Sequence, residues 1–578
     1  MRYHALATDY DGTLAHHGLV DEPTVAALER LLASGRRLIM VTGRELPELL
    51  TVFPRTDLFE IIVAENGALL YWPATKAEKR LADPPPEQFV QVLKERGVGP
   101  ISIGRVIVAT WEPHEAVVLQ TIRDLGLELQ VIFNKGAVMV LPASVNKATG
   151  LKAALKELEL SPHNVVAVGD AENDHAFLKY CEFSAAVANA LPAVKDTADM
   201  VTASDHGQGV IELIEAMVEH DLANFDGKLT RHHLQLGTAD EQDVKLSPFG
   251  PVVLLAGPSA SGKSTVTTAW LEVMAEKKYQ FCVVDPEGDY ETFQQAVVLG
   301  SAESAPTVDE IHRTIARGDS VVASLTGMPI SDRPPFFLNL LPQLLQLRAK
   351  FGRPHWLVLD EVHHLLPADW EPPAGILPEQ LHSTFMITVH PELLDPRILK
   401  RVTTAIAVGS DAKKTLAAFA GPIGLTLPVS DITALGGGEA LVWTPANGQV
   451  PLKIKCCPSK TERRRHRRKY AEGELPPERS FYFRGPEGKL NLRAQNLLLF
   501  MQLADGIDDE TWQHHLRNGD YARWFRQAIK DEQLAAEADR ITSLSNVSAV
   551  ESRTLLRAAI ERDYTLSTTG VLPVPGAS

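Results

Sequence analysis

The sequence predicts a multidomain α/β protein, and three observations carry that reading. Two stretches, one at the N-terminus and one from Pro248, alternate short apolar runs with amphipathic helical segments, the rhythm of doubly wound sheets. A chain of 578 residues is too long for one hydrophobic core, so about three or four domains are expected. Hydrophobic residues make up 45% and charged residues 22%, ordinary for a globular chain, and no window approaches the run of about 18 apolar residues that a membrane helix needs.

In the N-terminal stretch the apolar runs 3–10, 37–42, 60–64 and 164–169 each end in polar or small residues, with helical patterns at 24–32 and 150–158 between them. Residues 78–145 break the rhythm with ADPPPEQF, strand-like ISIGRVIVAT, a helix near 115–125 and a strand pair near 128–141, and read as an inserted cap. Residues 1–77 and 146–222 then form one core, and polar, histidine-containing 223–247 reads as a linker. The second α/β unit, 248–457, strings together VVLLAG, FCVVD, SVVASL, HWLVLD, FMITVH and TAIAVG. A basic linker (458–480), a mainly helical C-terminal region with two tryptophans (481–563) and a tail expected to be disordered (564–578) complete the chain.

A net charge of −16 opposes non-specific attraction to nucleic acid, so any such contact must be local. The basic cluster at 460–469, in KTERRRHRRKY, could make one or serve as a solvated linker, and it lacks interleaved aromatics for base stacking. The four cysteines show no pairing pattern. The opening MRYHALATDYDGTL runs straight into a strand and a carboxylate motif, unlike a signal peptide, so a cytoplasmic protein without a membrane partner is expected.

Asp9 and Asp11 follow an apolar run in DYDGTL, so alternation points both carboxylates to one side at a strand's C-terminal edge, where α/β sheets hold ligands. One D-x-D is weak evidence, but VTGR at 41–44, Asn146-Lys147 opening a helix and GDAEND at 169–174 follow in order. Together they supply what phosphoryl transfer needs: a carboxylate nucleophile, a second carboxylate as acid/base, a hydroxyl and an ammonium for the phosphoryl oxygens, and carboxylates for a hard cation. The four motifs resemble those of the haloacid dehalogenase superfamily, subfamily IIB (Cof-type), over residues 1–220. The resemblance implies a Rossmann-like core with an α/β C2-type cap that chooses a small phosphorylated substrate. It also implies Asp9 as nucleophile, Asp11 as acid/base, and Thr42, Gly43, Lys147 and Asn173 around the phosphate. Asp9, Asp11 (through its carbonyl), Asp170 and Asp174 would surround Mg²⁺.

Gly257-Pro-Ser259-Ala-Ser261-Gly262-Lys263-Ser264-Thr265 sits between strand-like VVLLA and helix-like TVTTAWLEVM, the setting of a P-loop. Backbone amides would surround the phosphates of ATP, Lys263 would reach the outer ones and Ser264 would coordinate Mg²⁺. In HWLVLDEVHH, Asp360 suits the metal's second shell and Glu361 suits polarising water, which favours hydrolysis over kinase chemistry. DPEGDY, DEVHHL, TVHPELL and GGGEALVWTP occur in an order similar to HerA-like members of the FtsK/HerA ATPases. That resemblance implies a sensor at His390, an arginine finger at Arg397 or Arg401, and a ring-forming homo-oligomer able to engage DNA. The sequence therefore points to a bifunctional hydrolase, a phosphatase fused to an ATPase. A nucleic-acid end-processing phosphatase/kinase and a phosphatase with a nucleotide-dependent scaffold or switch are its alternatives.

Overall fold

The computed structural model describes residues 1–134, 136–258, 261–367, 381–429, 435–460, 475, 477, 480–529, 531–544 and 547–564. Most of the basic cluster, the tail beyond 564 and Ser259 of the glycine-rich loop lie outside the described residues. The chain divides into two units, Met1–Ser264 with Trp270–Cys457, and Thr265–Ala269 with Pro458–Ser578.

The first unit opens with β1 (Ala5–Thr8), β2 (Arg37–Val41), β3 (Ile61–Ala64), β4 (Leu69–Trp72) and β5 (Ala77–Arg80). It continues through β6 (Ser102–Ile103), β7 (Val108–Trp111), β8 (Leu129–Asn134) and β9 (Ala137–Pro142), then β10 (Val165–Gly169), β11 (Phe183–Ala186) and β12 (Met200–Val201). Eight of these form one sheet in the order β12-β11-β10-β1-β2-β3-β4-β5, with β1 parallel to both of its neighbours. Helices cover the sheet, so all four residues of β1 are buried, which is why the central strands read as unbroken apolar runs rather than alternating ones. The cap is a four-stranded antiparallel sheet, β6-β7-β9-β8, with helices Glu87–Glu95 and Glu115–Asp124. Its expected start at residue 78 is corrected: 77–80 pair with β4 at the edge of the core sheet, exposed and charged as an edge strand should be.

An eleven-stranded sheet follows, made of β13 (Leu234–Ala239), β14 (Gln242–Leu246), β15 (Val252–Ala256), β16 (Phe281–Asp285), β17 (Val297–Leu299) and β18 (Val321–Ser324), with β19 (Trp356–Leu359), β20 (Thr384–Thr388), β21 (Thr404–Val408), β22 (Glu439–Trp443) and β23 (Leu452–Cys456). Its order is β14-β13-β23-β22-β21-β15-β20-β19-β16-β18-β17. The expected linker 223–247 is therefore corrected as well, because β13 and β14 form a hairpin that docks on β23. Its polar residues belong to a solvated edge, and the hidden signal was the buried pair Leu234 and Leu236 in alternation.

Within this unit the two sheet domains meet through buried polar groups. Glu182, 2% exposed, accepts hydrogen bonds from Arg2 Nη2 (2.9 Å) and Tyr279 OH (2.8 Å), and lies 2.7 Å from His163 Nδ1. The other nitrogen of His163 is 2.8 Å from the Lys277 carbonyl, and its ring stacks on Tyr279 at 3.8 Å. Asn164 bridges the same two halves, donating to the Arg2 carbonyl at 2.9 Å and standing 3.2 Å from His355 Nε2.

The second unit is not wholly helical at its start. The hairpin β24 (Phe481–Phe483) and β25 (Leu492–Ala494) precedes its helices, and Phe481, Phe483, Phe500, Trp512, Tyr521 and Trp524 share one core. Both tryptophans are thus packing residues, and Trp512 also donates to Ser552 Oγ at 2.9 Å. Among the described residues, no helix is long and apolar enough to cross a membrane.

Candidate active site

Asp9 follows the last residue of β1, and β10 alongside delivers Asp170 one residue past its own end. Lys147 is the first residue of the helix Lys147–Glu157, whose N-cap Asn146 closes a capping box with Thr149 and so fixes where the ammonium emerges. The Lys147 Nζ donates to Asp9 Oδ1 and to Asp174 Oδ1, each at 2.6 Å, with all three side chains buried. Asp174 Oδ2 accepts the backbone N–H groups of Asp170 and Ala171, each at 2.8 Å. The Thr13 hydroxyl lies 3.3 Å from Asp9 Oδ2 and 3.1 Å from Asp170 Oδ1. Asp9, Asp170 and Asp174 therefore bring carboxylate oxygens within 4.8 Å of one another. Burial and then the charge of Asp174 push the Asp9 carboxyl well above the usual carboxylate range, and Lys147 opposes them. Three buried carboxylates facing one ammonium form an all-oxygen, electron-rich set that fits a hard divalent cation such as Mg²⁺.

A model of the haloacid dehalogenase-like hydrolases matches residues 6–103 and 120–214. The phosphoglycolate phosphatase of Methanothermobacter thermautotrophicus is 31% identical over 219 residues, covering 36% of this chain and 96% of that protein. The N-terminal region belongs to the haloacid dehalogenase-like hydrolase family. Phosphoglycolate phosphatase 2 of Saccharolobus solfataricus is 29% identical over 220 residues, 37% of this chain and 91% of the relative. A solved haloacid dehalogenase-like hydrolase from Bacteroides thetaiotaomicron covers 37% of this chain and 99% of its own, at 19% identity and a TM-score of 0.33. The region is a phosphatase of this family.

The remaining residues expected in this haloacid dehalogenase-like site divide into those at the carboxylate cluster and those beside it. Thr42 is fully buried at the end of β2, with its hydroxyl accepting the Arg44 N–H at 3.1 Å, and Gly43 follows it. Asn173 donates to Asn66 Oδ1 at 3.2 Å and keeps its own buried Oδ1 without a hydrogen-bond partner. Asp11 is held differently, because Arg44 Nε and Nη2 grip its two oxygens at 2.7 Å each. A bidentate guanidinium fixes the direction of the Asp11 carboxylate, which makes Arg44 a positioning residue for it. Arg44→Ala is expected to leave the fold intact and lower kcat/KM for a phosphomonoester by about 10- to 100-fold, a share of the usual acid/base contribution. Steady-state kinetics check this, and wild-type values would show that Asp11 needs no such positioning.

Two residues outside the expected set shape the site, Arg44 in the VTGR motif and Glu65. The Glu65 carboxylate, fully buried, accepts the backbone N–H groups of Arg105 (2.8 Å), Val106 (2.7 Å) and Ile107 (3.1 Å), pinning the cap to the core. Glu65, Asn66 and Gly67 have φ of 51°, 54° and 101°, a left-handed run that only a well-supported site sustains. Glycine is required at 67, since a Cβ there would stand 2.0 Å from the Asn146 carbonyl oxygen. The signal was present as Asn66-Gly67, with one residue between it and the end of β3.

In the second sheet, β20 separates β15 from β19, so the glycine-rich loop and Asp360 flank the end of one strand. Gly257 donates to the Thr388 carbonyl at 3.3 Å, Ser261 N–H to Pro258 at 3.3 Å, and Gly262 turns the chain at φ 100° into the helix Lys263–Glu276, which includes Ser264 and Thr265. Lys263 Nζ donates to the carbonyls of Gly257 (3.0 Å) and Pro258 (3.1 Å), and Ser264 Oγ to Asp289 Oδ2 at 2.5 Å. Burial lowers the Lys263 ammonium, while Glu361, Asp360 and Asp289 work against it. Burial, then Asp285, pushes Asp360 well above the carboxylate range. Glu361, at φ 39°, has its buried Oε2 3.3 Å from His363 Nδ1 without a hydrogen bond. His390 pairs with Glu392 at 3.0 Å and sits 5.8 Å, ring to ring, from His363. Arg397 binds Asp395 two residues away, at 2.6 Å, and Arg401 is half-buried just past the short helix Pro396–Leu399.

Proposed function

We propose that the chain hydrolyses small phosphomonoesters in a Mg²⁺-dependent reaction through an aspartyl-phosphate on Asp9. The convergence of Asp9, Lys147, Asp170 and Asp174 in one buried cluster carries this reading. An Asp9 oxygen attacks phosphorus, the ester P–O bond breaks, and Asp11 gives its proton to the departing oxygen. Asp11 then takes a proton from water, whose oxygen attacks the aspartyl-phosphate and releases inorganic phosphate and the Asp9 carboxylate. Lys147, Thr42 and Asn173 hold phosphoryl oxygens. Asp9 and Asp170 would hold the cation, while Asp174, already committed to Lys147 and two backbone amides, sits behind them. When bound, Mg²⁺ supplies charge neutralisation of the transferring phosphoryl group. The test is phosphate release from a panel of phosphomonoesters, including phosphoglycolate, with Asp9→Asn as the blank. Equal release by the blank would remove Asp9 from its role.

For the second sheet we propose ATP binding at Gly257–Thr265 with hydrolysis assisted by Glu361. What supports it is the placement of Lys263, Ser264, Asp360 and Glu361 around the β15 and β19 ends, with a carboxylate oxygen of Glu361 kept from hydrogen bonds. The same feature favours hydrolysis over the kinase and scaffold alternatives, because it leaves a base for water. Ring assembly, the sensor and finger roles of His390, Arg397 and Arg401, and nucleic-acid contact through 460–469 belong to this reading as its further consequences. Glu361→Gln is expected to retain ATP binding and lose about 10²-fold or more in ATP turnover. Phosphate release and equilibrium nucleotide binding check it, and undiminished turnover would sink the assignment.

A further inference from the structure

The cavity that opens from Asp11 between core and cap has a volume of about 510 Å³, within the range of sites for drug-sized ligands. A two-carbon acid such as glycolate would leave most of it filled with water. Its cap wall is apolar and aromatic. Trp111, at the end of β7, is 54% exposed and lies along Gly136, whose Cα carries no side chain to cover the ring, while Ile107, Ala109 and Met139 extend the same wall. An indole that stays half-exposed inside a cleft, at the end of a strand otherwise packed in the cap core, presents a surface for a ligand.

The two hydroxyls on that wall are already used. Thr110 Oγ1 donates to the Pro100 carbonyl at 2.8 Å, and Ser102 donates to the Glu45 carboxylate. The cap therefore reads its ligand by shape and stacking, and offers little to match the many hydroxyls of a polyol. The core side of the cavity adds three imidazoles: His16 packs against His17 with centroids 4.1 Å apart and against His206 at 4.4 Å.

We propose that the preferred substrate is a phosphomonoester whose leaving group carries a planar aromatic or heteroaromatic ring, received by Trp111 from the cap and by the His16–His17–His206 cluster from the core. This rests on the phosphatase reading of the same site and adds the substrate class to it. A ring is held by stacking that needs no hydrogen-bond code, and the charged groups at the wall are already engaged, Arg44 with Asp11 and Glu48 and Glu45 with Ser102.

The test uses the full-length protein with Mg²⁺ and compares kcat/KM for pyridoxal phosphate and riboflavin monophosphate with that for a hexose phosphate and phosphoglycolate. At least one ring-bearing ester should exceed both ring-free ones by about tenfold or more. Trp111→Ala should lower kcat/KM for that ester about tenfold relative to phosphoglycolate, mainly through KM, and Trp111→Phe should restore most of it. A hexose phosphate or phosphoglycolate as the best substrate overturns the proposal, and so does a Trp111→Ala loss that is equal for all four esters. Turnover confined to ring-free esters leaves the phosphatase reading standing while this inference falls, whereas no Asp9-dependent turnover of any ester removes both.

Discussion

Asp9→Asn is expected to reduce phosphate release by about 10⁴-fold or more, the scale seen when a covalent nucleophile is removed, while the folded protein melts at the same temperature or higher. Both halves follow from the cluster's electrostatics. Asp9 is buried and sits among Asp170 and Asp174 with Lys147 as the shared cation, so burial and like charge both penalise its ionised form. A neutral amide of the same shape relieves that penalty, still accepts from Lys147 through its oxygen, and has no nucleophilic oxygen to give. A strong loss of stability in this variant would mean that Asp9 is a structural ion-pair partner first. Thermal melts alongside kinetics separate the two.

The second large effect is expected at Glu182, far in sequence from any predicted site. Glu182→Ala should destabilise the first unit by about 3–5 kcal/mol, the usual cost of leaving the partners of a buried charge uncompensated. It strips Arg2, Tyr279 and His163 of their shared acceptor at once. Burial alone would raise the Glu182 carboxyl, but the hydrogen bond and charge at His163 and the charge of Arg2 hold it well below the carboxylate range. Its stabilisation is fully present above the unfolded carboxylate value of about 4.3 and is lost progressively as pH falls below it. His232 and His4 act in the opposite sense, since burial holds each down at about 4. They stay neutral in the fold but take protons in the unfolded chain below about pH 6.5, so wild-type stability should fall as pH drops from 6.5 toward 4. Denaturant melts of wild type and Glu182→Ala at pH 7 and pH 5 check both statements, and a Glu182→Ala variant as stable as wild type would show the network to be dispensable.

The parts of this molecule legible in the sequence are those where local pattern and global fold agree. Four parallel strands buried along nearly their whole length, β1, β2, β3 and β10, announce themselves as apolar runs, and each site motif is local: Asp9 with Asp11, Thr42 with Gly43, Asn146 with Lys147, Asp170 with Asp174. What was illegible is what depends on distant partners. The β13–β14 hairpin reads as a polar linker because its buried apolar side chains are few, Leu234 and Leu236 in β13, and because its partner β23 lies more than two hundred residues away. The Glu65 clamp and the Glu182 network are single carboxylates in unremarkable contexts, and only folding brings the cap amides and Tyr279 to them. Arg44 belonged to a recognised motif, yet its grip on Asp11 is a matter of side-chain direction that spacing does not encode.

The most direct measurement of the central claim is chemical trapping of the covalent enzyme. The full-length protein is mixed with Mg²⁺ and its best phosphomonoester, quenched in acid during turnover, reduced with borohydride and digested for peptide mass spectrometry. An acyl phosphate on Asp9 is reduced to the alcohol, so homoserine is expected at position 9 in the peptide containing DYDGTL, with none formed when substrate is omitted. An unaltered Asp9 during rapid turnover, or homoserine at Asp11 or Asp170 instead, would contradict that claim.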